Sequence, residues 1–117
     1  MKAESQATET LRLERLAAQF DRDLRQILVD EAEVILPNGR RMRSTYFAEM
    51  LNGSIGLNVA RRLLRSSPPP GTFGFLRKIG RLDLTVEHYV VKPEYAELFK
   101  EKPELIEAAQ WRLDNGD

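Results

Sequence analysis

Cysteine is absent from this chain and histidine occurs once, as His88. Without thiols there is neither a disulfide framework nor a thiolate zinc site, and one imidazole leaves almost nothing for a histidine-based metal centre. No metal site and no cofactor is therefore expected, with only an oxygen-ligand site for a hard ion such as magnesium left open. No stretch approaches the roughly 18 consecutive apolar residues of a membrane span. The chain opens Met1-Lys2-Ala3-Glu4-Ser5-Gln6, polar where a signal peptide would be apolar. A cytoplasmic protein with no membrane partner is expected. Also lacking are a nucleophile set beside a base, a glycine-rich phosphate loop opening a helix, and paired carboxylates next to a lysine. The chain is thus read as a non-enzyme. The nearest approach to a catalytic group is Asp83, Glu87 and His88, a reading as a small hydrolase or nuclease that ranks last. Asp83 is more simply a first-turn or capping residue, Glu87 a solvated one, and His88 a packed one.

What the chain does contain is 117 residues, 42% of them apolar, enough for one compact core and too few for two full domains. The expected organisation is a single domain over 1–117, with a long helix in 1–33 and a compact helical module in 34–113. Eighteen basic and eighteen acidic side chains cancel, but they are sorted along the chain. Residues 1–37 carry 5 Lys/Arg against 8 Asp/Glu, residues 38–82 carry 9 against 1, and residues 83–117 carry 4 against 9. A basic middle between acidic ends can face a polyanion, or it can be neutralised by its own flanks on folding.

From Ser5 to Glu33 there is no Pro or Gly, and Leu, Ala, Glu, Arg and Gln dominate, which specifies one long helix. Leu13, Ala17, Phe20, Leu24 and Ile27 follow the alternating spacing of a helical seam, widened by Leu16 and Leu28. Such a helix is longer than a compact domain of this size, so either its first ten residues fray and the rest packs at home, or the seam pairs with a second copy in a homodimer. Val34-Ile35-Leu36, the turn Pro37-Asn38-Gly39 and Arg40-Arg41-Met42-Arg43 predict a small β-hairpin. Ser44 or Thr45 caps a short helix that Asn52-Gly53 ends with a left-handed residue, and Ser54 caps the next, with Leu57, Ala60, Leu63 and Leu64 inside and Arg61, Arg62 and Arg65 outside.

Ser66-Ser67-Pro68-Pro69-Pro70-Gly71 reads as a stiff connector. Short helical pieces follow over Thr72–Ile79, Thr85–Val91, Pro93–Phe99 and Pro103–Leu113, the second of which also suits a strand because of Val86, Val90 and Val91. The fold class is mainly α: a long N-terminal helix, a small β-hairpin and a bundle of short helices that is helix-turn-helix-like. That last feature rests on Gly53, Val59, Arg61 and Leu63, which meet the motif's offsets, while Glu49 stands where a small residue is usual. Phe73, Phe75, Tyr89, Tyr95 and Phe99 supply core, and Trp111 lies off the Ile106, Ala109, Leu113 face of the last helix.

Three cationic clusters, Arg40/Arg41/Arg43, Arg61/Arg62/Arg65 and Arg77/Lys78/Arg81, are the candidate nucleic-acid contacts if folding brings them together. The function this favours is a non-enzymatic nucleic-acid-binding protein, a small regulator. The alternative is an adaptor in a bacterial or phage defence or regulatory system whose basic centre docks on an acidic protein. Gly56-Leu57-Asn58-Val59-Ala60-Arg61-Arg62-Leu63-Leu64, Gly74-Phe75-Leu76, Gly80-Arg81-Leu82-Asp83-Leu84-Thr85-Val86-Glu87 and Pro93-Glu94-Tyr95-Ala96-Glu97-Leu98-Phe99 together resemble a module of uncharacterised bacterial proteins, over roughly residues 44–113. The resemblance implies a bacterial or phage origin and brings no activity, cofactor or binding residue with it.

Overall fold

A computed structural model describes residues 2–67 and 71–116, with side chains from Gln6 onward. The connector reading of Pro68, Pro69 and Pro70 lies outside the described residues. Helix α1 runs Lys2–Asp30 and tightens into a 3₁₀ turn over Glu31–Glu33. It is followed by α2 (Thr45–Gly53), α3 (Gly56–Arg65), α4 (Thr72–Lys78), a 3₁₀ turn at Leu82–Leu84, α5 (Val86–Val90), a 3₁₀ helix at Pro93–Phe99 and α6 (Glu104–Asn115). The segment around Val86–Val91 is therefore helical, not extended. Thr85 opens it, its Oγ1 accepting from the His88 amide at 3.1 Å and donating to the Leu82 carbonyl at 2.7 Å.

The small β-hairpin does not form. Among the described residues there is no strand, only one isolated antiparallel bridge between Ile35 and Arg41. The turn itself is as expected: Gly39 has φ +83°, and Asn38 Oδ1 accepts from the Arg40 amide at 2.9 Å. What stops the ladder is competition at both ends. The Val34 amide donates back to Glu31 at 3.0 Å, and the Ser44 amide and hydroxyl both donate to the Glu31 carboxylate at 2.7 Å. Glu31, which is buried, thereby takes the group that was expected to cap α2, and Ser44 makes no cap.

The other two expected caps are also replaced, and by the same helix. Gly53 does not take positive φ. Instead Arg25 of α1 donates to the carbonyls of Leu51 and Ser54 at 3.1 and 3.4 Å, satisfying the end of α2. Ser54 does not cap α3. Asp21, one turn before Arg25 and paired with it at 2.8 Å, accepts from the Gly56 amide at 2.6 Å. The Arg25 hydrogen bond, helped by the Gly56 amide, holds the Asp21 carboxyl below its ordinary range. Gly56 is there because α1 and α3 nearly touch: a Cβ would lie 2.9 Å from Asp21 Cα and 3.3 Å from Leu24 Cδ1. Alanine in place of glycine in a helix ordinarily stabilises by up to about 1 kcal/mol. Gly56→Ala should instead destabilise by about 1–3 kcal/mol, because the obstruction is backbone, and a lowered urea midpoint would register it.

A glycine does terminate α4 as expected. Gly80 at φ +71° lets the Arg81 amide reach the Leu76 carbonyl at 2.8 Å and its own amide reach Arg77 at 3.1 Å, the paired closure of a Schellman motif. The core gathers around α1. Phe20 is fully buried, edge-on to Tyr95 at 5.0 Å and to Phe99 at 5.8 Å, while Leu24 and Ile27 continue the same buried line. Tyr95 donates its hydroxyl to Asp23 of α1, and burial with that bond raises its pKa. The 3₁₀ helix, α3 and α5 pack on this line, and α6 closes over α3 and α5. Gln6 through Arg12 remain exposed. The molecule measures 60 × 26 × 22 Å, with a radius of gyration of 15.6 Å. A rounder chain of this length would give about 13 Å.

No helix among the described residues is long and apolar enough to cross a membrane.

Candidate functional site

The nine cations of the basic middle do not converge. Arg41 donates to the Ala32 carbonyl at 2.9 Å, and Arg81 approaches Glu33 at 4.0 Å while holding Asp83 at 3.1 Å, so both sit at the far end of α1. Arg77 donates to the carbonyls of Leu113 and Gly116 at 2.5 and 2.7 Å, closing the end of α6. Arg40, Arg43 and Lys78 are exposed, with no side-chain hydrogen bond or ion pair among the described residues. Arg61 and Arg65 lie elsewhere, lining a hollow of about 240 Å³ with Leu13. Leu13 and Ala32 are nineteen residues apart, which places the two groups about 30 Å apart along α1.

The hollow has its own charge balance. Besides Arg61 and Arg65 it is lined by Lys100 and Lys102, against the carboxylates of Glu97 and Glu101. Glu97 is already occupied, since both its oxygens accept from the Arg12 guanidinium, one of them at 3.0 Å. That pairing holds the Glu97 carboxyl below its ordinary range. Four cations then face one carboxylate that Arg12 does not neutralise. Arg61 is half-buried and reaches the Leu98 carbonyl at 3.4 Å, whereas Arg65 is exposed. Arg62, also exposed, extends the surface: Asn58, Arg62 and Arg65 form the outward stripe of α3.

Lys100 and Lys102 are invisible to a count by segments, because they belong to the acidic third of the chain. The Phe99–Lys100–Glu101–Lys102 link carries them to α3 only because Phe99 is anchored beside Phe20. The helix-turn-helix reading is not supported by this geometry. Such motifs insert the start of the second helix into the groove. Here the start of α3 is buried against Asp21, and only Ser54 and Ile55 separate it from α2.

No family model, curated protein or solved structure matches the chain.

The seam proposed for a second copy lies mostly inside the chain's own core. Phe20 and Leu24 are 0% exposed and Ile27 is 2% exposed. Leu13 and Ala17 are half-buried, Leu13 in the wall of the cationic hollow. The three groups considered for hydrolysis turn to separate partners. Asp83 is held by Arg81, which keeps its carboxyl below the usual range. His88 stacks edge-on to Tyr89, and burial lowers its pKa. Glu87, expected to be solvated, is buried and paired with Arg112 at 3.2 Å. No cluster of three or more metal-ligating side chains occurs among the described residues.

Arg112 is the residue that sequence reasoning passed over. Besides Glu87 it donates to the carbonyls of Leu63 at 2.9 Å, Leu64 at 3.1 Å and Ser66, the end of α3. The signal was periodic: Leu105, Ala109 and Arg112 share the buried stripe of α6, one residue away from the expected Ile106, Ala109, Leu113 face. Arg112 and Glu87 also line a second cleft of about 390 Å³, walled chiefly by apolar side chains of α2, α4 and α5.

Proposed function

We infer that the chain is a non-enzymatic binding protein that contacts the phosphates of nucleic acid through the C-terminal half of α3. The observation that carries this reading is the gathering of Arg61, Arg65, Lys100 and Lys102 around one hollow, with Arg62 one turn before Arg65 on the exposed face of α3, where it lines a second hollow with Glu49. Guanidinium groups suit phosphate oxygens because their paired donors match two acceptors at once. Contacts of this kind position a protein on a duplex without reading its sequence. The remaining cations of the middle segment are removed from the interface by their distance or by their internal hydrogen bonds. The exposed patch is therefore smaller than the charge of the segment suggests.

The test is fluorescence anisotropy with a labelled mixed-sequence duplex at increasing salt. With five cations engaged, affinity should fall roughly a few hundred-fold between about 50 and 200 mM salt, and duplexes of unrelated sequence should bind alike. An Arg62→Ala/Arg65→Ala variant should lower the salt slope by about two. Because both side chains are exposed, it should keep wild-type stability within about 0.5 kcal/mol. Absence of binding at the lowest salt, or a variant indistinguishable from wild type, would overturn the assignment.

A further inference from the structure

The cleft between α2, α4 and α5 lies apart from the cationic hollow and shares no lining residue with it. Phe47, Phe73, Leu76 and Val86 supply apolar wall, and Tyr46, 61% exposed, stands at its rim. Its volume falls at the lower end of the roughly 300–1,000 Å³ typical of small-molecule sites. Among the described residues only two charged side chains line it, Glu87 and Arg112, each more than nine-tenths buried and paired with the other. Arg112 has its Nη atoms committed to Glu87 and to the end of α3. Glu87 is different. Its Oε2 accepts from Arg112, while Oε1 has no hydrogen-bond partner among the described residues. Among the described residues no buried side-chain oxygen or nitrogen lacks a partner, so Oε1 keeps contact with solvent, and Glu87 lines the cleft.

We propose that this cleft is a binding site for a small, uncharged, mainly apolar molecule carrying one N–H or O–H group, which donates to Glu87 Oε1. Net charge on the ligand is disfavoured from both sides. Apolar walls do not solvate an ion, and the Glu87–Arg112 pair is already neutral, so either sign meets a like charge within the pair. A donor is favoured because a carboxylate oxygen in a low-dielectric setting forms stronger hydrogen bonds than one in water. The site is independent of the nucleic-acid reading, since none of its lining residues belongs to the cationic patch.

The probe for the test is 1-aminoanthracene, a neutral aromatic amine whose emission rises in apolar surroundings. The expected result is a saturable one-to-one rise with the full chain, with anthracene, which lacks the donor, competing about tenfold more weakly. Thr45→Trp, from the exposed start of α2, and Ser67→Trp, from beyond the end of α3, should each fill the cleft and weaken binding at least tenfold. Unchanged circular dichroism in either variant suffices to show that folding is intact. The Arg62→Ala/Arg65→Ala variant should bind the probe as wild type does. A non-saturable signal, or equal binding by both cleft-filling variants, overturns the site. Anthracene binding as tightly as the amine overturns the role of Glu87.

Discussion

Replacing Arg112 with alanine should reduce the free energy of unfolding by about 3–5 kcal/mol, a large share of the total usual for a domain of this size. Three deficits add up. The Glu87 carboxylate is left buried without its counter-ion, the carbonyls of Leu64 and Ser66 lose the guanidinium donor while that of Leu63 keeps only Ser66, and the long side chain leaves a void. The guanidinium fork is what allows one residue to meet the carboxylate and the end of a helix simultaneously. Arg112→Lys, with a single ammonium, should recover only part of the loss. Replacing both members of the pair, Arg112→Met with Glu87→Leu, should be milder than Arg112→Ala alone, because no charge is then stranded. Urea denaturation of the single and double variants measures this directly. If Arg112→Ala cost less than about 1 kcal/mol, the pair would belong with exposed ion pairs and not with the buried clasp described here.

Phe20→Ala is the second large effect, at about 3–5 kcal/mol. Phe20 has no exposed surface, and both its aromatic neighbours come from the 3₁₀ helix some seventy-five residues later. Its removal therefore detaches the segment that presents Lys100 and Lys102. The concentration dependence of unfolding carries the sharper information. If the seam served a second copy, the denaturation midpoint of the wild type would climb with protein concentration by mass action. With Phe20, Leu24 and Ile27 inside the chain's own core, the midpoint should stay constant over a hundredfold concentration range in wild type and variant alike.

The features legible in the sequence were those decided by neighbours along the chain. The composition of α1 and the positive φ of Gly39 and Gly80 each follow from a few adjacent residues, whereas residues 85–91 suited helix and strand alike until the fold placed Thr85 as a cap. The features that were not legible depend on partners far away in sequence. Asp21 and Arg25 satisfy backbone groups between residues 51 and 56, and Glu31 takes Ser44 from the expected cap. In each case a charged side chain of α1, or of the 3₁₀ turn that continues it, takes the place of an expected local cap, because it comes prepositioned by a rigid element. The hairpin loses its ladder to both kinds of contact, since the Glu31 carboxylate takes the Ser44 amide while its backbone carbonyl takes the amide of Val34. The candidate site shows both sides of this: Arg61, Arg62 and Arg65 stand out as a local triplet, whereas Lys100 and Lys102 join them only through the packing of Phe99. Glu87 and Arg112, twenty-five residues apart, gave no joint signal, although the spacing of Leu105, Ala109 and Arg112 marks the arginine as inward-facing.

The overhang of α1 governs how the molecule moves through water. With one dimension of 60 Å and the other two below 30 Å, the chain meets more friction than a sphere of equal mass. It will diffuse slowly and leave a size-exclusion column early, the same displacement that pairing would cause. Light scattering, which reads mass without regard to shape, separates the two. Small-angle X-ray scattering should give a pair-distance curve with a thin tail reaching the full length of the molecule. Early elution would therefore follow from one projecting helix alone and would not by itself signal two chains.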